Sequence, residues 1–143
     1  MPRTAVIIPA FNEAEAVDKV IEAIPAEYAG LIVVVDNNSM DATAEKARRT
    51  GAVVLNETRR GYGYACLKGM EYLDAEADKP DIVVFLDGDY ADYPEEMGVL
   101  VKPIAEGWCD LVIGSRTLGK HTRGAMTPWQ EAGNCLIVLL IRV

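Results

Sequence analysis

Two aspartates stand one residue apart at the end of an apolar run. Residues 83–89 read Val-Val-Phe-Leu-Asp-Gly-Asp, so Asp87 and Asp89 are the first charges after a stretch typical of a buried strand. Carboxylates this close repel each other unless a positive charge lies between them, and a hard divalent cation with oxygen ligands meets that need. The pair predicts a site for Mg²⁺ or Mn²⁺ that could also hold the phosphates of a substrate. The alternative interpretation is a solvated acidic turn.

Apolar runs alternate with helical patterns along the chain and place these aspartates on a sheet. The apolar runs predict five strands, at residues 5–8, 31–35, 52–55, 82–86 and 111–113. Helices are predicted at residues 13–24, 42–49, 62–74 and 94–105. Ser39 or Asp41 is the predicted cap of the second helix. Continuous apolar strands separated by helices indicate an α/β fold with a parallel sheet covered on both faces.

Polar clusters follow three of the predicted strands. Asn12 and Glu13 follow the first strand, residues 36–38 (Asp-Asn-Asn) follow the second, and residues 87–89 follow the fourth. Right-handed crossovers bring the ends of parallel strands to one edge of the sheet, which is where open sheets bind ligands. The three clusters therefore predict a single binding site.

Composition indicates one domain and argues against a nucleic-acid partner, a zinc site, a disulfide framework and a membrane span. Half of the 143 residues are apolar, which is enough for the core of one domain, predicted to be residues 1–143. The net charge of −8 argues against a nucleic-acid partner, because no basic stripe is available to neutralise phosphates. Three widely spaced cysteines form neither a zinc pattern nor a disulfide framework, which indicates reduced thiols and a cytoplasmic location. We find no signal peptide and no apolar run of roughly 18 residues that would predict a membrane span.

The carboxyl end is strongly apolar. Residues 135–141 read Cys-Leu-Ile-Val-Leu-Leu-Ile, and the sequence stops at Val143 inside what is predicted to be a helix. We expect a domain that is incomplete at this end. Because a large apolar surface is rarely left in water, we also expect a homo-oligomer formed through this helix.

Five motifs in this order and spacing resemble those of family 2 glycosyltransferases. They lie at residues 9–13 (Pro-Ala-Phe-Asn-Glu), 35–43, 60–65 (Arg-Gly-Tyr-Gly-Tyr-Ala), 87–89 and 114–116 (Gly-Ser-Arg). The resemblance covers nearly the whole chain and is greatest to the branch of dolichyl-phosphate mannose or glucose synthases. It implies a GT-A fold, a nucleotide-sugar donor and a divalent cation. It also implies that residues 1–114 form the donor-binding half, and that residues 115–143 hold the acceptor loop and the start of the acceptor-side helix.

The resemblance, together with side-chain chemistry, gives a set of candidate site residues. The nucleotide-sugar contacts are predicted to be Pro9, Ala10, Glu13, Asp36, Asn38, Arg60, Gly61, Asp87, Gly88 and Arg116. The metal ligands are predicted to be Asp87 and Asp89. Asp36 can accept from a base N–H or a ribose hydroxyl, and Arg60 beside a helix start suits a phosphate.

Other interpretations of these motifs remain open. Asn12 or Glu13 could simply cap the first helix, and Gly61 could belong to a plain turn. Asp41 and Thr43 are predicted to start the second helix rather than to touch a ligand.

The chain departs from its relatives at several positions. Asn37 stands where the family often has a second aspartate. Ala91 and Asp92 stand where such synthases often have glutamine or serine followed by histidine. Ala91 cannot bind a metal, so the aspartate pair and the donor phosphates would have to hold it. His121, in a loop rich in Gly and Thr, is not assigned as a catalytic base.

The resemblance implies an inverting glycosyltransferase. It would transfer a hexose from a donor of the UDP-glucose or GDP-mannose type to an acceptor such as polyprenyl phosphate or a glycan. A polyprenyl-phosphate acceptor would place the protein at the cytoplasmic face of a membrane as a peripheral protein. One alternative is a truncated, inactive module that binds nucleotide and metal. A nucleotidylyltransferase is less well supported, because residues 9–13 lack the Gly-rich, basic loop which that class typically needs.

Overall fold

The computed structural model describes residues 2–28 and 30–115. Contacts divide the chain into two compact units, Met1–Val112 and Ile113–Val143, and the fold below is that of the first unit. Strands and helices alternate in the order β1 (Thr4–Ala10), α1 (Val17–Ala23), β2 (Leu31–Asp36), α2 (Thr43–Arg49), β3 (Val53–Asn56), α3 (Tyr62–Ala75), β4 (Ile82–Phe85) and α4 (Met97–Ala105).

The four strands form one parallel sheet in the order β3-β2-β1-β4. β1 is central, so that Ile7 lies opposite Val33 on one side and Phe85 on the other. All seven residues of β1 are buried. The predicted α/β architecture with a parallel sheet is confirmed.

Helices cover both faces of the sheet. On one face Val6 and Ile8 of β1 belong to a core cluster that α1, α2 and α4 complete. On the other face Ile7 and Val33 pack with Ala65 and Leu73 of α3. α3 lies very close to β1, because a Cβ atom added at Gly69 would come within 2.7 Å of Ile7 Cγ2. None of the helices in the part of the chain that the structure describes is long and apolar enough to cross a membrane.

The starts of the helices differ from the predictions. The first helix was predicted from residue 13 but begins at Val17, because residues 14–16 form a turn. The predicted cap of α2 is also displaced. Ala42 precedes its first residue, while Asp41 Oδ1 accepts the backbone N–H of Thr43 at 3.0 Å. The helix predicted at residues 94–105 begins with a separate 3₁₀ turn, Pro94–Glu96, before α4.

The fifth strand, predicted at residues 111–113, is wrong. These residues adopt no regular structure, and Leu111 and Ile113 are 73% and 79% exposed. A strand needs a neighbour for its backbone groups, and within residues 2–28 and 30–115 the four-stranded sheet supplies none to this segment. Three apolar residues have a strand-like pattern, but the pattern alone cannot provide that neighbour.

Candidate functional site

A pocket of about 440 Å³ lies at the carboxyl ends of the strands, where the strand order reverses between β1 and β4. β2 lies on one side of β1 and β4 lies on the other, and open parallel sheets bind ligands in the crevice at such a point. The lining comes from the ends of β1, β2 and β4 and from the start of α3. It consists of Pro9, Ala10, Phe11, Glu13, Asn37, Arg60, Gly61, Tyr62, Ala65, Asp87, Gly88 and Asp89.

Three carboxylates, those of Glu13, Asp87 and Asp89, line this pocket. The pKa of Glu13 is raised, first by desolvation and then by the negative charges of Asp89, Asp41 and Asp87. Asp89 Oδ1 accepts the backbone N–H of Ala91 at 2.9 Å, which orients the carboxylate. The pocket therefore concentrates negative charge, and its carboxylate oxygens are possible metal ligands.

The carboxylate oxygens of the pocket fit a cation that the protein coordinates only in part. In residues 2–28 and 30–115, no group of three or more His, Cys, Asp or Glu side chains is arranged to hold a metal ion. Mg²⁺ usually binds through one or two carboxylates and completes its coordination with water and substrate phosphates. Asp87 and Asp89 supply a pair of that kind, so a phosphate-bearing ligand would have to supply further oxygens.

Tyr62, the first residue of α3, connects the acidic side of the pocket to this helix. Its hydroxyl lies near the Asp87 carboxylate and the thiol of Cys66. Partial burial, with the negative charge of Asp87, raises the pKa of Tyr62 to about 12. The phenol therefore stays protonated near neutral pH and can donate to Asp87.

A cation and an aromatic ring also line the pocket. The guanidinium carbon of Arg60 lies 5.4 Å from the centre of the Phe11 ring, within the range of a cation–π interaction. Phe11 is 43% exposed, so part of its ring is available to a ligand. The pocket thus combines carboxylates, a guanidinium and a planar apolar surface.

Asn37 fixes the loop between β3 and α3. Its Nδ2 donates to the backbone oxygens of Glu57 and Arg59, at 2.9 and 2.7 Å. Its Oδ1 accepts the backbone N–H of Gly61 at 2.8 Å. Gly61 has a φ of 137°, in the region that favours glycine. These bonds hold the loop that presents Arg60.

Most of the predicted site residues come together in this pocket. The predicted residues that line it are Pro9, Ala10, Glu13, Arg60, Gly61, Asp87, Gly88 and Asp89. Asp36 and Asn38 are not among the lining residues. Asp36 shares a face of β2 with Val34, because side chains alternate along a strand, and its Oδ1 accepts the Ser39 N–H at 3.2 Å. Arg116 lies outside the described residues.

Four of the lining residues have no predicted role, namely Phe11, Asn37, Tyr62 and Ala65. Phe11, Tyr62 and Ala65 lie within the motifs at residues 9–13 and 60–65, so membership of a motif is the signal that points to them. Asn37 directly follows Asp36, and strand alternation was the signal that could have distinguished the two.

Comparison with known proteins relates this chain to sugar-transferring enzymes. The model of Glycosyl transferase family 2 matches residues 5–135. A hexosyltransferase of low-salt glycan biosynthesis from Haloferax volcanii is 32% identical over 148 residues, covering 99% of this chain and 34% of that protein. The dolichol-phosphate mannosyltransferase of Pyrococcus furiosus is 32% identical over 122 residues, covering 80% of this chain and 33% of that protein.

A solved structure extends the similarity to the fold. It is that of glucosyl-3-phosphoglycerate synthase from Mycobacterium tuberculosis, in complex with Mn²⁺, UDP and glucosyl-3-phosphoglycerate. The TM-score is 0.60 at 27% identity, and the match covers 72% of this chain and 39% of that one.

The chain spans about a third of the length of the two curated relatives, the hexosyltransferase and the mannosyltransferase. The family match extends over most of the sequence, and the sheet has the expected GT-A arrangement. This chain belongs to glycosyl transferase family 2.

Proposed function

We propose that this chain forms the donor site of an inverting glycosyltransferase. The donor is a nucleotide sugar of the UDP-glucose or GDP-mannose type, bound with Mg²⁺ or Mn²⁺. One observation carries the proposal: a single pocket combines Asp87 and Asp89 with the Arg60 guanidinium and the exposed ring of Phe11. A nucleoside diphosphate needs these three features, namely metal-binding oxygens, a cation and a planar apolar contact.

Each part of the donor has a matching group in the pocket. Asp87 and Asp89 would hold the metal ion, which would supply positive charge for the diphosphate oxygens. Arg60 supplies a permanent positive charge for a phosphate. The Phe11 ring offers a flat surface against which a base can stack. The related mycobacterial synthase, crystallised with Mn²⁺ and UDP, supports this ligand class.

The reaction follows from the chemistry of the donor. An acceptor oxygen attacks the anomeric carbon from the face opposite the diphosphate. The bond from that carbon to the diphosphate oxygen breaks, and its electron pair leaves with the nucleoside diphosphate. A metal ion at Asp87 and Asp89 would neutralise the charge that develops on this leaving group. Tyr62 would orient Asp87, and Arg60 would add a second positive charge.

For the acceptor we propose a polyprenyl phosphate. Such a phosphate is already ionised near neutral pH and needs no general base. The relative named as a dolichol-phosphate mannosyltransferase supports this class. With this acceptor the protein would work as a peripheral protein at the cytoplasmic face of a membrane. A glycan is the second candidate, supported by the hexosyltransferase of glycan biosynthesis. It would require a carboxylate to take the proton of the attacking hydroxyl.

Ligand-induced stabilisation tests the donor site. Thermal unfolding is measured with UDP-glucose, GDP-mannose and other common nucleotide sugars, each with and without Mn²⁺. At a hundredfold excess over its dissociation constant, a true ligand stabilises the folded state by about 2.7 kcal/mol. We expect this stabilisation to require Mn²⁺ and to be lost in Asp87→Asn and Asp89→Asn.

The control is Asp74→Asn, which removes the same charge from an exposed residue of α3 that is ion-paired with Lys79. It should respond to the ligand like the parent. Equal Mn²⁺-dependent stabilisation of all three variants would rule out the proposed metal site. Asp36→Ala belongs in the same series, because weaker nucleotide binding in this variant is what our prediction of a nucleoside contact requires.

Sugar transfer tests the activity. We expect labelled hexose to move from the donor that binds to a polyprenyl phosphate and so into an organic phase. Label that enters a glycan instead identifies the second class of acceptor. Binding without transfer to either acceptor would identify the 143-residue chain as an inactive module that binds nucleotide and metal.

A further inference from the structure

The loop after β1 is fastened to the loop after β2 by three side chains. The backbone N–H groups of residues 12–14 donate, in order, to Ser39 Oγ, Thr43 Oγ1 and Asp41 Oδ2, at 2.9, 2.8 and 3.1 Å. Three consecutive backbone donors of this loop are therefore satisfied by two side chains of the loop after β2 and by Thr43, the first residue of α2. The position of the first loop is therefore fixed by hydrogen bonds at three consecutive residues rather than at one.

The same junction is also bonded in the reverse direction. Met40 N donates to Asn12 Oδ1 at 2.9 Å, and Asn37 N donates to the backbone oxygen of Ala10 at 2.8 Å. Asn12 and Asn38 have φ values of 57° and 65°, in the left-handed region that is uncommon for residues other than glycine. Such conformations persist where the surroundings fix them. The junction is thus closely determined on both sides.

The start of α2 does not account for these bonds. It explains the bond from the Thr43 N–H to Asp41 Oδ1, which is local to the helix terminus. Thr43 is fully buried, and its hydroxyl is hydrogen-bonded to the Asp41 carboxylate while it accepts the Glu13 N–H. Ser39 Oγ and Asp41 Oδ2 bond across to the other loop as well. These groups therefore serve the neighbouring loop rather than the helix.

We propose that Ser39, Asp41 and Thr43 are positioning residues that hold Phe11 and Glu13 against the nucleotide pocket. Ser39, Asp41 and Thr43 are not among the residues that line the pocket, whereas Phe11 and Glu13 are. Ser39, Asp41 and Thr43 would act on the site through the backbone of residues 12–14 and not through contact with the ligand. The inference rests on the proposed nucleotide site, and it assigns a role to a motif that was predicted only to start a helix.

Two substitutions at Thr43 test this role. Thr43→Val keeps the shape of the side chain but removes the acceptor for the Glu13 N–H, whereas Thr43→Ser keeps the hydroxyl. With UDP or GDP and Mn²⁺ as the probe, we expect Thr43→Val to raise the dissociation constant about tenfold, which corresponds to ~1.4 kcal/mol. Thr43→Ser should bind within about twofold of the parent, a factor well below the one expected for the lost hydrogen bond. Ser39→Ala provides the same comparison if Thr43→Val does not fold.

A double-mutant cycle separates positioning from a general loss of stability. Thr43 Oγ1 accepts the Glu13 N–H, so the Glu13 side chain is the one whose position depends most directly on Thr43. In a Glu13→Ala background that side chain is absent and only Phe11 remains to be positioned, so Thr43→Val should weaken binding less than it does in the parent. An equal loss in both backgrounds, or unchanged affinity of a less stable Thr43→Val, would overturn the inference.

Hydrogen exchange without ligand keeps the two proposals apart. Faster exchange of the amides of residues 12–14 in Thr43→Val, but not in Thr43→Ser, supports the structural role of these hydrogen bonds whether or not a nucleotide binds. If the parent binds no nucleotide, the proposed function fails. If exchange at these amides is unchanged, the positioning role fails.

Discussion

At the scale of single residues, Asn37 shows how one amide can shape a binding loop. Its two N–H groups and its oxygen are all engaged with the backbone of residues 57–61. An aspartate is nearly isosteric but has no N–H to donate. Its oxygen would face the carbonyl oxygens of Glu57 and Arg59, so the identity of this residue matters to the loop beside it.

We therefore predict that Asn37→Asp destabilises the protein. Two hydrogen bonds to buried or part-buried backbone oxygens are replaced by repulsion, which should cost about 1–3 kcal/mol in the free energy of unfolding. Urea unfolding monitored by circular dichroism measures this change. The variant should also bind a nucleoside diphosphate more weakly, because the loop that carries Arg60 is released.

Asn38→Asp is the matched control for Asn37→Asp. It introduces the same charge at the neighbouring position, where the side chain is exposed and aspartate tolerates the left-handed backbone. Its free energy of unfolding should stay within about 0.5 kcal/mol of the parent. Equal stability of both variants and the parent would show that the Asn37 amide does not fix the loop.

The sequence allowed the chemistry of the site to be predicted better than the orientation of its residues. The structure brings the acidic pair and Arg60 together in one pocket, as expected for polar residues that follow the ends of parallel strands. Asp36 is the predicted nucleoside contact, but Asn37 and not Asp36 is among the residues that line the pocket. Adjacent residues of a strand point to opposite faces, so a difference of one residue in the position of the strand end decides which of the two lines the pocket.

At the scale of elements, the close contact between α3 and β1 depends on a glycine. A Cβ atom at position 69 would lie 2.7, 3.0 and 3.1 Å from three side-chain atoms of Ile7, which is itself fully buried. Ile7 is confined by the neighbouring strands and has little room to move. The helix can therefore approach the sheet this closely because residue 69 has no side chain.

We predict that Gly69→Ala destabilises the protein although alanine is the better helix former. Overpacking in a filled core costs about 1–3 kcal/mol, and the gain in helix propensity is ~1 kcal/mol. Gly63→Ala in the same helix is the control, since a Cβ atom there meets nothing within 4 Å. It should be neutral or stabilising by up to ~1 kcal/mol in chemical denaturation. A Gly69→Ala variant as stable as Gly63→Ala would contradict the close packing.

Regular elements were predicted well where the apolar pattern was long. The predicted helix at residues 62–74 matches Tyr62–Ala75, and the first four strands were found within a few residues of their predicted positions. The segment 111–113 was wrongly predicted to be a strand. A run of three apolar residues does not indicate whether a neighbouring strand is available for backbone pairing. The late start of α1 was missed for a different reason. The amides of residues 12–14 are bonded to another loop, which is a tertiary contact and has no local signal.

At the scale of the whole molecule, apolar side chains remain exposed along β4. Val83 and Phe85 are 38% and 43% exposed on the face of the sheet that α3 covers farther inward. Residues 136–141 are also apolar, although they lie outside the described residues. Large contiguous apolar surfaces are rarely left in contact with water.

We predict that the 143-residue chain self-associates, with a symmetric dimer as the expected form. Sedimentation velocity should show a concentration-dependent dimer for the full chain. A variant that ends at Gln130 should sediment with a smaller proportion of dimer. A full-length control carrying Leu136→Ser and Leu140→Ser separates the effect of apolar character from that of length. A monodisperse monomer for the full chain at all concentrations would refute the prediction.

The strand order also has a consequence for the synthesis of the chain. β1 lies in the centre of the sheet, yet Thr4 pairs with Ile82, which the ribosome adds 78 residues later. At a synthesis rate of roughly 5–20 residues per second, that delay is about 4–16 s. During this interval one edge of the most buried strand has no partner and could template pairing with another nascent chain. The arrangement that creates the crevice between β1 and β4 therefore also creates a period of vulnerability, in which protection by a chaperone would matter most.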